Sequence, residues 1–311
     1  RFYLLPELTF ELGGKSFQKS WTGSFSLNAD SNSCNRKKEQ GIIGSDILSQ
    51  GVFCLDPYQK KYAIIPNDKF NVPSDTKGYS LPCHTSSITH IPFVDFTMGT
   101  HTQRAMWDLG YNGCILIQYP EKRKQEIQAF MHHYSGATQY TYTAESAMRD
   151  MENKGFGAGE CDFLILDSVQ IGRQTFYGSF RILLMQNDKL KRIKVNMGSD
   201  FIFRFQSWLN YKERKIALIP LPASQQFPTP PPEIKLDQQM HISALLKGGS
   251  YEKQCVRLHD CLLRIDDKNL SDILRGISSC EQVAFVLEAL KHARQCLFSS
   301  TDGASKTVLI R

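Results

Sequence analysis

Apolar and polar residues alternate with period two over much of the first 220 positions. Residues 5–27 (LPELTFELGGKSFQKSWTGSFSL) give an alternating run, a turn at Gly13 and Gly14, then a second alternating run. That pattern predicts a β-hairpin. Residues 166–183 (LDSVQIGRQTFYGSFRIL) repeat it around Gly172 and Arg173. Between the two, Ile91, Phe93, Asp95 and Thr97 step along one strand and residues 98–102 turn the chain. Residues 105–107 then run into Asp108-Leu109-Gly110, and residues 115–117 form another apolar strand. A helix is predicted over 121–133 and a short one over 145–152. Residues 227–232 (FPTPPP) read as an extended linker, after which the period changes. Val256, Leu258, Leu262 and Ile265 lie about one helical face apart. Leu270, Ile273, Leu274 and Ile277 repeat the helical spacing, and Ser278 with Glu281 forms a capping box opening a helix over 280–298. The pattern therefore predicts a mainly β chain with a C-terminal α-helical module of about 70 residues.

An internal repeat sharpens this picture. Residues 41–66 (GIIGSDILSQGVFCLDPYQKKYAIIP) and 195–220 (VNMGSDFIFRFQSWLNYKERKIALIP) align without a gap at an offset of 154 positions. Gly44, Ser45 and Asp46 match Gly198, Ser199 and Asp200; Leu55, Lys61, Ala63, Ile65 and Pro66 match Leu209, Lys215, Ala217, Ile219 and Pro220. Each copy reads as a hairpin, a Gly-containing apolar strand, a short helical turn and a closing hairpin at 56–61 or 210–215. Ser or Asp after each Gly is expected to cap the helical turn.

Composition narrows the function classes. With 41% apolar residues among 311, the chain has globular composition and is not a disordered polymer. Its 37 basic and 31 acidic residues leave +6, with basic runs only at 37–38, 122–124 and 189–194. That is too sparse for a nucleic-acid surface. No run approaches the ~18 apolar residues of a membrane span. Nine scattered Cys without a CxxC pair read as reduced thiols, which favours an intracellular compartment. His84, His90, His101, His132 and His133 lack partners at metal-ligand spacing, so no metal is expected. Residues 155–159 (GFGAG) lack the Lys-Ser/Thr of a phosphate loop, and no cofactor is expected. The chain begins at Arg1 rather than Met, as expected of a fragment or a processed product.

Trp107-Asp108-Leu109-Gly110 and the two crossing segments, Ile42-Ile43-Gly44 and Asn196-Met197-Gly198, carry the candidate chemistry. At these residues the chain resembles an aspartic peptidase of the pepsin/retropepsin type. The resemblance covers residues 1–222. It implies an acid-protease-like, double-lobed β-barrel architecture, in which a hydrophobic–Asp–Thr/Ser–Gly loop packs beside a hydrophobic–hydrophobic–Gly segment. It gives Asp108 the catalytic position, with Trp107, Leu109 and Gly110 supporting its loop. Ile43, Gly44, Met197 and Gly198 become the crossing-strand motif. The domains expected are residues 1–83, the C-terminal half of a first lobe; 84–226, a whole second lobe; and 227–311, the linker and helical module.

Such a site needs two carboxylates about 3 Å apart sharing one proton, one activating water and one polarising the peptide carbonyl. A single Asp108 supplies one. Its partner is expected roughly 45–50 residues before Arg1 by the repeat, or from a second chain in a homodimer, as in viral members of the family. Leu109 departs from the family, whose Thr or Ser hydroxyl links the two Asp loops; leucine has no donor. Two readings stay open: an endopeptidase acting on peptide or protein substrates, sensitive to pepstatin-type inhibitors, or an inactive scaffold that binds a protein partner through the cleft or the helical module.

Overall fold

The structure, a computed structural model, describes residues 2–12, 15–25, 44–71, 78–86, 89–111, 113, 115–134, 137–144, 159–222 and 233–310. Ile42 and Ile43, the helix expected over 145–152 and the linker at 227–232 lie outside them.

The elements run in chain order β1 (Phe2–Leu12), β2 (Lys15–Phe25), α1 (Ser45–Leu48), β3 (Val52–Asp56), β4 (Lys61–Ile65), β5 (Tyr79–Pro82), β6 (His84–Thr85), β7 (Pro92–Met98), β8 (His101–Trp107) and β9 (Ile115–Tyr119). They continue with α2 (Lys124–His133), β10 (Thr138–Ala144), β11 (Gly159–Ile171), β12 (Gln174–Gln186), β13 (Lys194–Met197), α3 (Ser199–Ile202), β14 (Phe205–Asn210) and β15 (Lys215–Pro220). Last come β16 (Ile234–Leu236), β17 (Ile242–Leu246), α4 (Ser250–Lys253), β18 (Cys261–Ile265), β19 (Lys268–Asn269), α5 (Leu270–Ile273), α6 (Ser279–Leu290), β20 (Gln295–Ser299) and β21 (Ser305–Leu309).

The protein is mainly β. Strands β11, β12, β9, β13, β8 and β7 follow one another in one sheet, and the pairing of Ile171 with Phe96 joins β11 back to β7. Six strands thus close into a barrel. Alternation drives it: Val94, Phe96 and Met98 of β7 are buried while the residues between them are half-exposed. Ile117, Ile182, Val195 and Met197 fill the same interior. β13 lies between β8 and β9, parallel to the first and antiparallel to the second. That insertion carries residues 194–198 past the end of β8, where Asp108 begins the loop.

A second, five-stranded sheet in the order β4-β3-β14-β15-β5 holds the repeat. α1 and α3 begin and end at positions 154 apart. Both closing hairpins keep one register, Asp56 opposite Lys61 and Asn210 opposite Lys215. Both turn through a left-handed residue, Lys60 at φ 54° and Arg214 at φ 53°. Where β3 meets β14, Cys54 lies opposite Trp208, its own repeat equivalent. An approximate two-fold axis therefore passes between these two residues.

The C-terminal region differs from expectation. It is an α+β unit, not a helical bundle. β16 and β17 extend the barrel's sheet through β10, and β19, β18, β20 and β21 form a separate sheet. Among its described residues, only 250–253, 270–273 and 279–290 are α-helical. Cys255 at φ 66° and His259 at φ 68° end helical geometry after Lys253. Buried Asp260 then accepts from the Arg257 N–H at 2.9 Å and from Lys306 Nζ at 3.1 Å, which holds the turn into β18. The apolar spacing was satisfied another way: Val256, Leu262 and Ile265 are buried with Val286, Phe298 and Val308 in the unit's own core. No helix among the described residues is long and apolar enough to cross a membrane.

Candidate active site around Asp108

Asp108 follows the last residue of β8, and the chain cannot continue straight because β13 crosses beside it. The Asp108 N–H donates to the Met197 carbonyl at 3.0 Å, extending the β8–β13 ladder by one residue. The chain then turns: the Tyr111 N–H donates to the Asp108 carbonyl at 3.3 Å and the Gly113 N–H to the Tyr111 carbonyl at 3.0 Å. Trp107 anchors the approach, 5% exposed and edge-on to Phe201 at 6.1 Å. Leu109 packs against the barrel core as a partly buried side chain, with no hydroxyl to offer a neighbouring loop. Gly110 is exposed at the tip.

The Asp108 carboxyl group is half-buried and hydrogen-bonded on both oxygens. The Gly110 N–H donates to Oδ1 at 3.1 Å, and Asn196 Nδ2 donates to Oδ2 at 3.2 Å. Desolvation raises its pKa above the usual carboxylate value; the backbone N–H groups of Gly110 and Tyr111 oppose that rise. Among the described residues, no charged side chain contributes to the shift. Among the described residues, no second carboxyl group is hydrogen-bonded to it.

The Asp108 loop and α3 are built as one piece. The Ser199 N–H donates to the Tyr111 carbonyl at 2.9 Å and the Asp200 N–H to the Gly113 carbonyl at 3.0 Å. These are the first-turn donors that a helix leaves unpaired. The expected side-chain caps are absent at α1 and α3; in each the residue before the helix is Gly44 or Gly198. At α3, loop carbonyls take the donors. Gly198 has to be glycine: an added Cβ would lie 2.3 Å from the Gly113 carbonyl oxygen and 2.7 Å from the Tyr111 ring. At Gly44 the same atom would meet, among the described residues, only the Asp46 side chain, at 2.5 Å. Among the described residues, then, no loop fills in the first copy the place that residues 108–113 fill in the second.

Of the residues expected at the site, Trp107, Asp108, Leu109, Gly110, Met197 and Gly198 meet in one place. Gly44 lies in the other repeat copy, and Ile43 is outside the described residues. Residues 138–144 pair with β11 as β10; residues 145–158 are outside the described part. The sequence placed Asn196 in the crossing segment but gave no sign of its contact with Asp108. An amide stands there where the repeat offset places Ile42. An open cavity of about 440 Å³ lies elsewhere, on the five-stranded sheet beside Asp56, Tyr62 and Trp208. No group of three or more His, Cys, Asp or Glu placed to hold a metal occurs among the described residues.

No protein-family model matches the chain, and no curated protein does. Among solved structures, the crystal structure of a retropepsin-like aspartic protease from Rickettsia conorii is similar at 14% identity and a TM-score of 0.28. That alignment covers 48% of this chain and 95% of the other.

Proposed function

We propose that residues 84–222 carry one half of an aspartic-type endopeptidase site, with Asp108 as one of its two carboxylates. The observation that supports this best is the Asp108 environment. A half-buried carboxyl group sits at a strand end, held by an N–H of its own loop, in a loop locked to the crossing segment at Gly198.

In the reaction proposed, a water molecule lies between Asp108 and a partner carboxyl group. The ionised carboxylate takes a proton from water as its oxygen attacks the peptide carbonyl carbon. The protonated carboxyl group gives its proton to the carbonyl oxygen. The tetrahedral diol then collapses, a proton reaches the amide nitrogen, and the C–N bond breaks to release an acid and an amine.

The two-fold arrangement favours one source for the partner. In a symmetric homodimer, β14 of one copy would pair with β14 of the other. Here that edge of β14 is occupied by β3 of the same chain. This favours, of the two sources, a segment N-terminal to residue 1 over a second chain. Leu109 favours the second reading, an inactive scaffold that binds a protein partner, because it removes the hydroxyl link between two such loops. The two are separated by presenting a peptide library, from acidic to neutral pH, to these 311 residues and to the same chain extended upstream. Cleavage by the extended chain alone supports the peptidase. No cleavage by either chain supports the scaffold.

A further inference from the structure

A polar side chain in the middle of a buried ladder requires a reason. β13 alternates Val195 and Met197 into the barrel, both buried, and Asn196 to the other face, half-buried. Its neighbours in register are Met106 on β8 and Leu116 on β9. Asparagine is a poor strand residue, and a half-buried amide costs stability unless it is hydrogen-bonded. The repeat offset puts Ile42 at the equivalent position, so the lobe architecture does not call for an amide there. What Asn196 does have is Asp108: its Nδ2 donates to Oδ2 at 3.2 Å.

We infer that Asn196 is a positioning residue that holds Asp108 in its ionised form, which gives Asp108 the base role and leaves the acid role to the partner carboxyl group. The role assignment rests on the peptidase reading; the effect of Asn196 on Asp108 ionisation does not. A carboxylate is acceptor-only, and with Gly110 on Oδ1 and Asn196 on Oδ2 both oxygens accept. Protonating the carboxyl group would weaken the Asn196 bond, because a neutral carboxyl oxygen is a poorer acceptor than a carboxylate oxygen. Desolvation acts to protonate this group and the loop N–H groups oppose it; on its geometry, the Asn196 bond acts in the same direction as those N–H groups.

Other ionisable groups on the surrounding elements are engaged or exposed. Asp200 on α3 is paired with Arg181. Tyr111 of the loop packs its ring beneath Gly113 and Gly198. Arg104 on β8 and Lys194 on β13 are exposed. Tyr119 ends β9, four residues beyond the start of that strand.

The test is a carboxyl ¹³C NMR titration of Asp108, with no peptide present, in the parent protein and in Asn196→Ala and Asn196→Ile. Isoleucine keeps strand propensity and supplies the residue of the other repeat copy, so it answers if the alanine variant does not fold. Both variants should titrate at higher pH than the parent. Asn196→Asp, which brings a second carboxyl group to Asp108, should titrate higher still, in two coupled steps. In the upstream-extended protein, kcat of Asn196→Ile should fall about tenfold, the order of one hydrogen bond to a charged group. KM should hold, and the acid limb of the pH profile should move to higher pH. An unshifted Asp108 titration in a folded Asn196→Ile variant overturns the inference, whether or not the protein cleaves peptides. A shifted titration in a protein that cleaves nothing upholds the ionisation effect and overturns only the peptidase reading.

Discussion

Burial and hydrogen bonding pull the Asp108 carboxyl group in opposite directions, and burial wins. The sign has a consequence for stability. A carboxyl group whose folded pKa lies above its ordinary value of 3.8 favours the fold below that value. The contribution is lost as pH rises through the folded pKa. At neutral pH the ionised Asp108 therefore costs stability, as functional-site residues often do. Asp108→Asn is expected to raise Tm at pH 7, and the difference should shrink when the melts are repeated below the ordinary Asp range. A lower Tm for the variant at pH 7 would mean that Asp108 is a structural residue. At this scale the sequence was informative where chemistry is local. An Asp followed by a turn Gly was visible. The Asn196 partner was not, because it lies 88 positions away and reaches Asp108 only through the β8–β13 pairing.

The crossing segment and the Asp108 loop form one structural element in two pieces. Packing at Gly198 decides how well they fit. A methyl group there would press on backbone at 2.3 Å, which a flexible side chain cannot relieve. Gly198→Ala is expected to cost about 1–3 kcal/mol, the range for forced overpacking, and to displace the loop; urea unfolding and Asp108 chemical shifts would show both. Gly44→Ala should cost less, since among the described residues the added Cβ meets only the Asp46 side chain. Equal losses at the two sites would contradict the view that a loop is seated on one and not on the other. Hairpins and short helical turns were legible because two copies spelled them with the same spacing. The C-terminal elements were not: Val256, Leu262 and Ile265 are spaced for a helix yet buried from a turn and a strand. Period alone cannot separate these cases in short apolar runs. The Asp302-Gly303 pair, which turns β20 into β21, was a usable hairpin signal.

On the scale of the whole molecule, the C-terminal α+β unit continues the barrel's sheet through β10, while the repeat sheet is built from its own five strands. β17 pairs with β10 on one side and β16 on the other. Ala244 of β17 also joins a buried cluster with Tyr111 of the Asp108 loop and Tyr142 of β10. The C-terminal unit thus forms part of the wall beneath the candidate site. The two-fold axis between Cys54 and Trp208 relates two hairpins and two helical turns but only one described Asp loop. That imbalance favours an upstream segment of the same polypeptide as the source of the second carboxyl group. The central claim is tested most directly by peptide hydrolysis in the upstream-extended protein across the acidic range, parent against Asp108→Asn. Activity in the parent that falls at least a hundredfold in the variant, the scale of a lost acid–base group, is the predicted result. Hydrolysis that survives Asp108→Asn unchanged would contradict it.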